Sequence, residues 1–553
     1  PPVQEIVFVG AGYVGGPTAA VIADRCPHIN VTVVDKSEVR IRQWRSKHLP
    51  IHEPGLRDIV RPARDGTIGA SARSPNLFFS TNCEGHIAVA DIIYLAVNTP
   101  TKVNGIGAGK ATDMSMFESA ARSVSMAAKP GAIIVEKSTV PCRTAAMVRG
   151  ILAFHRPGVS FEILSNPEFL AEGTAIKDLL SPSRVLIGSS NTISGLSAAK
   201  QLADVYAHWV PRDSILTIDV WSSELAKLVA NAMLAQRVSS INTISAICEK
   251  TGANIDNVAK AIGLDARLGS QFLRAGLGFG GSCFKKDILS LSYLADTLQL
   301  PEVSQYWQSV IEINQWQCRR YVESVVGKLN GSLHGKKVAV LGYAFKKDTA
   351  DTRESQAAEV VRMLAEEYPS EIVIYDPQCN KAHVEAELSG LFSASTSAPI
   401  LQPEGPVSVC ENPYDACAGA TAVLVLTEWD QFRYPAIAQV RPKLHEIPGR
   451  YDSGYQSDSM HHELPTLESL RSKHGVAMLC DPNAQLAPEP DCLAGCRDCV
   501  IEGNVGRSAD EAVDWSKIAQ VMHGEQYVFD ARGVVDQEKM RRELGFRVES
   551  IGK

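Results

Sequence analysis

The 553-residue chain holds no apolar run approaching the roughly 20 residues needed to cross a bilayer, and no charged-apolar-small signal peptide opens it. A basic block is also lacking. With a net charge of −7, a nucleic-acid or anionic-membrane surface is not expected as the main partner. The 13 cysteines form no disulfide framework, which points to a reducing, cytoplasmic compartment. The start at Pro1-Pro2 without Met leaves a removed N-terminal segment open. What is present is an ordinary globular composition, 45% hydrophobic and 21% charged, over a length that divides into roughly three to four domains.

The first pattern is strand, glycine loop, helix. Ile6 to Val9 is a β-branched and aromatic run, followed by Gly10-Ala11-Gly12-Tyr13-Val14-Gly15 and a helix start at Pro17. A second strand, Val31 to Val34, ends in Asp35, where an acid accepts hydrogen bonds from an adenosine ribose. The spacing predicts dinucleotide binding. Asp35 repels a 2′-phosphate and so favours NAD over NADP, with Lys36 and Arg40 nearby as opposing cations. Strands at Ile92 to Val97, Ala132 to Val135 and Phe161 to Leu164 continue a parallel sheet. Their ends carry Asn98-Thr99-Pro100-Thr101, Glu136-Lys137-Ser138-Thr139 and Ser165-Asn166-Pro167-Glu168, three polar clusters at the carboxyl edge where such sheets bind ligands. Glu168 and Glu172 flank Phe169-Leu170-Ala171, so at least one acid is expected to be desolvated, with a raised pKa suited to acid/base work.

Residues 216 to about 330 read as long helices. Trp221 to Lys250 carries an apolar stripe, with Lys227 and Asn231 four apart beside it; Pro301 to Leu329 is a second helical tract. Helices of this length between two sheets suggest self-association into a dimer unit. Between them lies Gly276-Leu277-Gly278-Phe279-Gly280-Gly281-Ser282-Cys283-Phe284-Lys285-Lys286-Asp287. So many glycines predict an irregular loop able to approach a ligand closely. Cys283 then falls near a helix N-terminus beside two lysines, a setting that favours thiolate; a buried, inert cysteine is the plain alternative. Strand signals return at Lys337 to Leu341, Ile372 to Tyr375, Ala422 to Leu426 and Tyr527 to Phe529, but without GxGxxG. Phe345 and Lys346, at the first of these strand ends, are placed to stack on or pair with a nucleotide sugar. The fold class is therefore α/β: a first doubly wound, Rossmann-like domain to about residue 215, a long central helical region, and a second such domain over 331–553.

Five motifs in register carry a resemblance over residues 5 to about 432 and 514 to 553. They are GxGxxG with Asp35, Glu-Lys-Ser-Thr at 136 to 139, Asn-Pro-Glu-Phe-Leu-Ala-Glu-Gly at 166 to 173, Ser-Glu-Leu-Ala-Lys-Leu at 223 to 228 and Gly-Phe-Gly-Gly-Ser-Cys-Phe at 278 to 284. Together they resemble the UDP-glucose/GDP-mannose dehydrogenases. The resemblance implies oxidation of a sugar C6 hydroxymethyl group to a carboxylate with NAD reduced twice, UDP-glucose giving UDP-glucuronate. Cys283 would form a thiohemiacetal and then a thioester; Lys227 with Asp287 and a water would manage the first proton, Asn231 would donate to oxyanions, Glu168 would aid hydrolysis and Thr139 would orient a water. Whether Lys227 or Asp287 is the immediate base stays open. The cofactor positions implied are Gly10, Gly12, Tyr13, Val14, Gly15, Asp35, Arg40, Thr99, Thr139, Glu172 and Arg353. Those for the nucleotide sugar are Glu168, Phe169, Leu170, Lys227, Asn231, Phe272, Arg274, Phe279, Phe284, Phe345, Lys346 and Arg532, with Arg267 reaching over from a neighbouring subunit of a homo-oligomer, a dimer unit or hexamer. Other members of the family act on GDP-mannose or UDP-N-acetylhexosamines, and a non-catalytic sensor would have lost Cys283, Lys227 or Asp287; all three are present.

Two departures stand out. Asp530-Ala531-Arg532 replaces the family's Asp-Gly-Arg, a strained substitution if φ there is positive, and Arg274 stands where lysine is more usual. The larger one is an insertion at about 433–513, rich in Ser, Gly, Pro, His and Asp. Within it Ile437-Ala438-Gln439-Val440 recurs later as Ile518-Ala519-Gln520-Val521, and Cys480, Cys492, Cys496 and Cys499 with His461 and His462 miss the usual paired zinc spacing. A surface loop without a metal is the expected state.

Overall fold

The computed structural model describes residues 2–68, 72–393, 399–435, 485–486, 492 and 511–553. Continuous β-branched runs such as Glu5–Val9, with Ile6, Val7 and Phe8 all buried, form strands covered by helices on both faces. Eight strands make the first sheet. Their order is Leu77–Ser80, Asn30–Val34, Glu5–Val9, Ile92–Leu95, Ile133–Glu136, Glu162–Ser165, Val185–Ser189 and Ile215–Asp219. Every pairing is parallel except that of Glu162–Ser165 with Val185–Ser189. This sheet runs to Asp219, a few residues past the expected boundary near 215.

The second sheet has six strands, all parallel: Val407–Val409, Glu371–Tyr375, Lys337–Leu341, Ala422–Val425, Tyr527–Asp530 and Arg547–Ser550. In both sheets the strand first in sequence lies third in space, so the order reverses beside it and opens a crevice at the carboxyl ends.

A 32-residue helix, Val220–Thr251, joins the sheets. Asp219 caps its start by accepting from Ser222 N, and Gly252, at φ 77°, ends it. It packs with the cysteine helix Phe284–Thr297 and with Pro301–Lys328 around Ala232, Ala235, Phe279, Ile288, Trp307, Val310 and Ile311. Among the described residues no helix is long and apolar enough to cross a membrane.

Little of the insertion falls within the described residues. Gln485–Leu486 pairs antiparallel with Thr67–Ile68 of the first nucleotide fold, and Cys492 Sγ lies 3.3 Å from His48 Nδ1. The Ile437–Val440 segment, His461, His462, Cys480, Cys496 and Cys499 lie outside the described residues.

Candidate active site

The glycine loop is shaped by what presses on it. Gly278 and Gly281 take φ of 115° and 81°, and a Cβ on Gly278 would sit 2.2 Å from Asn314 Oδ1. Gly280 has no room either: its Cβ would meet Glu354 O at 2.6 Å and the Phe345 Cβ at 2.9 Å. Amide side chains clamp the loop. Asn314 accepts from Phe279 N (2.8 Å) and donates to Phe279 O (2.9 Å); Gln356 donates to the same carbonyl, Gln317 to Gly276 O, and Asn242 accepts from Gly276 N.

The loop delivers Cys283, exposed, to the N-cap of its helix. One turn on, Asp287 is fully buried, accepting from Asn231 Nδ2 at 2.6 Å and pairing with Lys286 at 2.8 Å. Lys227, buried one turn from Asn231, lies 5.1 Å from the Phe169 ring centre. Burial pulls the Lys227 ammonium below its ordinary pKa, against the opposing charges of Asp287, Cys283 and Glu168. A buried lysine that holds its proton less tightly than usual is better suited to act as a base.

Two electrostatic expectations are overturned. Although Cys283 reaches solvent, its thiol is pushed up, because the protein crowded around the sulfur, together with Glu172 and Asp287, outweighs Lys227 and Lys286. Lys285 does not help: it turns away to Glu354, 2.8 Å distant. Glu168 goes the other way. Burial favours its protonated form, but Lys137, 2.8 Å from Oε2, and the amides of Phe169 and Leu170, bonded to Oε1, hold the carboxyl below its usual range. A charge partner within bonding distance defeats desolvation here. Both acids lie in the loop before the helix Ala175–Leu180.

The cofactor positions line the first crevice. Gly10, at φ 112°, has no room for a Cβ, which would fall 2.3 Å from Ala96 O, and one on Gly15 would fall 2.1 Å from Gly10 O. At Gly12 a Cβ would meet nothing within 4 Å; this is open space over the start of the helix Gly15–Arg25, capped at Val14, where backbone N–H groups await an anion. Asp35 accepts from Ala11 N and Ser37 N, and Thr99 donates to Thr139 O at 2.8 Å. The Tyr13 hydroxyl donates to Glu53, which also accepts from Gly173 N and Ala175 N. The residues present thus fit a dinucleotide. Arg353, from the second fold, lies 4.0 Å from Glu172 and accepts from Gly281 N through its carbonyl. Arg40, on the helix Glu38–Trp44, is exposed.

On the other side, Phe272, Phe279 and Phe284 form one aromatic cluster. Lys346 lies 5.3 Å from the Phe345 ring centre, and Leu170 packs on the first core. Arg532 donates to Leu426 O and reaches Gly278 O and Phe345 O; Arg274 donates to Arg532 O and Gly533 O. The strain expected at Ala531 does not arise, since the positive φ of 63° falls on Gly533 instead. Arg267 is exposed and paired with Asp265.

One known family matches three successive stretches of the chain. Models of the UDP-glucose/GDP-mannose dehydrogenase family match its NAD binding domain at residues 4–210, its central domain at 221–316 and its UDP binding domain at 339–453. The chain belongs to this family. It is accordingly an oxidoreductase that uses NAD. UDP-glucose 6-dehydrogenase 5 of Oryza sativa subsp. japonica is 44% identical over 99% of this chain and 97% of its own length. The UDP-glucose 6-dehydrogenase of Bos taurus is 47% identical over 84% and 92%, and that of Caenorhabditis elegans 50% over 78% and 87%. A UDP-glucose dehydrogenase structure from Pyrobaculum islandicum superposes with a TM-score of 0.66 at 30% identity, covering 78% of this chain and 91% of that one.

Sequence reasoning passed over Lys137, Glu53, Asn242, Asn314, Gln317 and Gln356. Lys137 stood in a quoted cluster; the amides sit in helical stripes, where a buried Asn or Gln is the available signal.

Proposed function

We propose that this family member oxidises the C6 hydroxymethyl group of UDP-glucose to the carboxylate of UDP-glucuronate through a thiohemiacetal and a thioester on Cys283. The observation that carries the reading is the convergence of an exposed thiol, a buried lysine of lowered pKa and a half-buried glutamate of lowered pKa on one glycine-loop cleft between two nucleotide folds. NAD, held by the Gly10–Gly15 loop, Asp35 and Thr99, supplies the acceptor for the electron pair lost in each oxidation. Lys227, in its neutral form, takes the hydroxyl proton of the alcohol, with Asp287 and Asn231 beside it. The Cys283 sulfur adds to the C6 aldehyde as the thiol proton passes to the carbonyl oxygen, giving the thiohemiacetal hydroxyl; Asn231 and the Lys227 ammonium donate to the negative charge that develops on that oxygen. After the second oxidation, Glu168 accepts a proton from water as it attacks the thioester carbonyl, the C–S bond breaks, and the thiolate leaves. Thr139 orients that water.

Phe345, Lys346 and Arg532 of the second fold, with Arg274 from the central region, hold the nucleotide sugar. Helices Val220–Thr251 and Pro301–Lys328 expose Met233, Val303, Tyr306 and Trp316, which supports self-association through this region and would bring Arg267 to a neighbour's cleft. Light scattering checks the assembly. The test of the reaction is NADH absorbance with limiting UDP-glucose and excess NAD. Two NADH per sugar is expected; no NADH from UDP-glucose, with turnover of GDP-mannose or a UDP-N-acetylhexosamine, would overturn the substrate.

A further inference from the structure

Lys137 is a buried cation that the steps above leave without a task. It follows the strand Ile133–Glu136, and its side chain is 3% exposed. Its ammonium lies 2.8 Å from Glu168 Oε2, 3.1 Å from Asn166 Oδ1 and 3.3 Å from the Tyr206 hydroxyl. The surround is itself fixed. Tyr206 donates to Asn166 Oδ1 at 2.7 Å, and Asn166 donates to Leu186 O at 2.8 Å. An ammonium has three donors, and here three partners meet them, two from the loop after Glu162–Ser165 and one from the helix Ile193–Tyr206. Glu168 is held at both ends, Oε1 by the amides of Phe169 and Leu170 and Oε2 by Lys137.

We propose that Lys137 is a positioning residue for hydrolysis: it fixes the Glu168 carboxylate, ionised and in one orientation, as the base that activates water against the Cys283 thioester. This rests on the role given to Glu168 above. The other titratable groups facing Glu168 are Lys227 on the long helix, Tyr206 at the end of Ile193–Tyr206 and Tyr94 in the Ile92–Leu95 strand. The tyrosines are neutral at working pH, burial pushing both hydroxyls up. Lys227 is itself pulled down by burial. Lys137 therefore supplies the larger share of the charge that keeps Glu168 deprotonated, as its ion pair outweighs the burial that would protonate it.

The test follows the pH dependence of turnover and the acyl-enzyme, seen by intact-protein mass spectrometry, in Lys137→Met, Lys137→Gln and Lys137→Arg, with Glu168→Gln as control. Lys137→Met should move the acid limb of kcat upward by about one to three pH units, the usual effect of losing an adjacent opposite charge. It should accumulate acyl-enzyme on the acid side and release it as pH rises, with KM for NAD unchanged. Lys137→Gln, which keeps a donor and loses the charge, should show the same displaced limb and stands in if the Met variant does not fold; Lys137→Arg should return the limb most of the way. A folded Lys137→Gln enzyme with the wild-type limb, beside a Glu168→Gln enzyme that stalls as acyl-enzyme at every pH, overturns the role of Lys137 alone. Normal hydrolysis by Glu168→Gln overturns the role of Glu168 and this one with it.

Discussion

The two nucleotide folds share a strand order and diverge at one loop. Gly10 and Gly342 are equivalent: both follow the first strand, take positive φ of 112° and 97°, and donate their N–H to the end of the second strand, Val34 O and Tyr375 O, at 2.8 Å. In both, the aspartate that ends the second strand accepts from the next backbone N–H, Asp35 from Ala11 and Asp376 from Tyr343. There the likeness stops. In the first fold a Cβ at Gly12 would meet open space and a helix begins at Gly15. In the second, Tyr343 and Ala344 are buried, Thr427 donates to Ala344 O, and the next helix begins only at Gln356. Asp376 is saturated as well, accepting from Ala344 N, Trp429 Nε1, Gln378 N and Cys379 N besides Tyr343 N. The second crevice has been filled by the chain's own groups, and Phe345 and Lys346, the residues proposed to hold the sugar nucleotide, follow the filled part in sequence. One topology thus presents two different crevices, because a single loop decides whether open space is left at the carboxyl end of the first strand.

The largest effects should come from the shared glycines. Gly10→Ala and Gly342→Ala each force a Cβ into backbone or side chain, 2.3 Å from Ala96 O and 2.5 Å from Thr427 Cβ, at a strained φ; each should lose about 3 kcal/mol of stability in chemical denaturation. Gly12→Ala should leave stability intact while raising KM for NAD about tenfold or more. Equal stability losses at Gly12 and Gly10 would break the distinction between open and filled loops. Next, Asp376→Ala should destabilise by about 2–3 kcal/mol, since it strands buried donors, and Asp35→Ala by less, its main readout being weaker NAD binding in calorimetry. Lys346→Ala should raise KM for the sugar nucleotide and leave KM for NAD unmoved; a shift in both would place the second fold's loop at the cofactor.

The smallest contrast is in acid stability. Asp91, in the first fold, is held below its usual pKa: burial opposes this, but Lys129 and the N–H groups of Gln4 and Glu5 prevail. Its contribution is present above the unfolded-state pKa and is lost as pH falls through the lower folded value. Asp530, in the second, is raised by burial against its backbone donors, so its contribution is complete below the unfolded pKa and lost as pH rises through the higher folded one. Asp91→Asn should flatten the loss of stability on acidification below about pH 4, and Asp530→Asn should relieve a penalty above it; thermal melts across that range read both.

The architecture was legible where strands are buried on both faces, because continuous apolar runs such as Ile92–Leu95 and Lys337–Leu341 announce themselves. Edge strands were not. Ile215–Asp219 is largely exposed, and Leu77–Ser80 leaves Phe78 in solvent, so neither carries a hydrophobic period. At the site, residue types pointed to Cys283, Lys227 and Asp287, but the direction of proton affinity at Cys283 and Glu168 depended on partners distant in sequence. Glu172 stands over a hundred positions from Cys283, and no spacing rule places it there; Lys137 lay in a neighbouring cluster whose side-chain direction only the sheet defines.

The clamp on the glycine loop is made of Asn242, Asn314, Gln317 and Gln356, amides that neither gain nor lose a proton and carry no net charge. Salt does not screen such bonds, and acid or alkali does not titrate them. The thiol's address thus rests largely on bonds that solution conditions leave alone, with Arg532 at Gly278 O as a charged addition, and a pH or ionic-strength response of turnover reports mainly on the reacting groups and ligands.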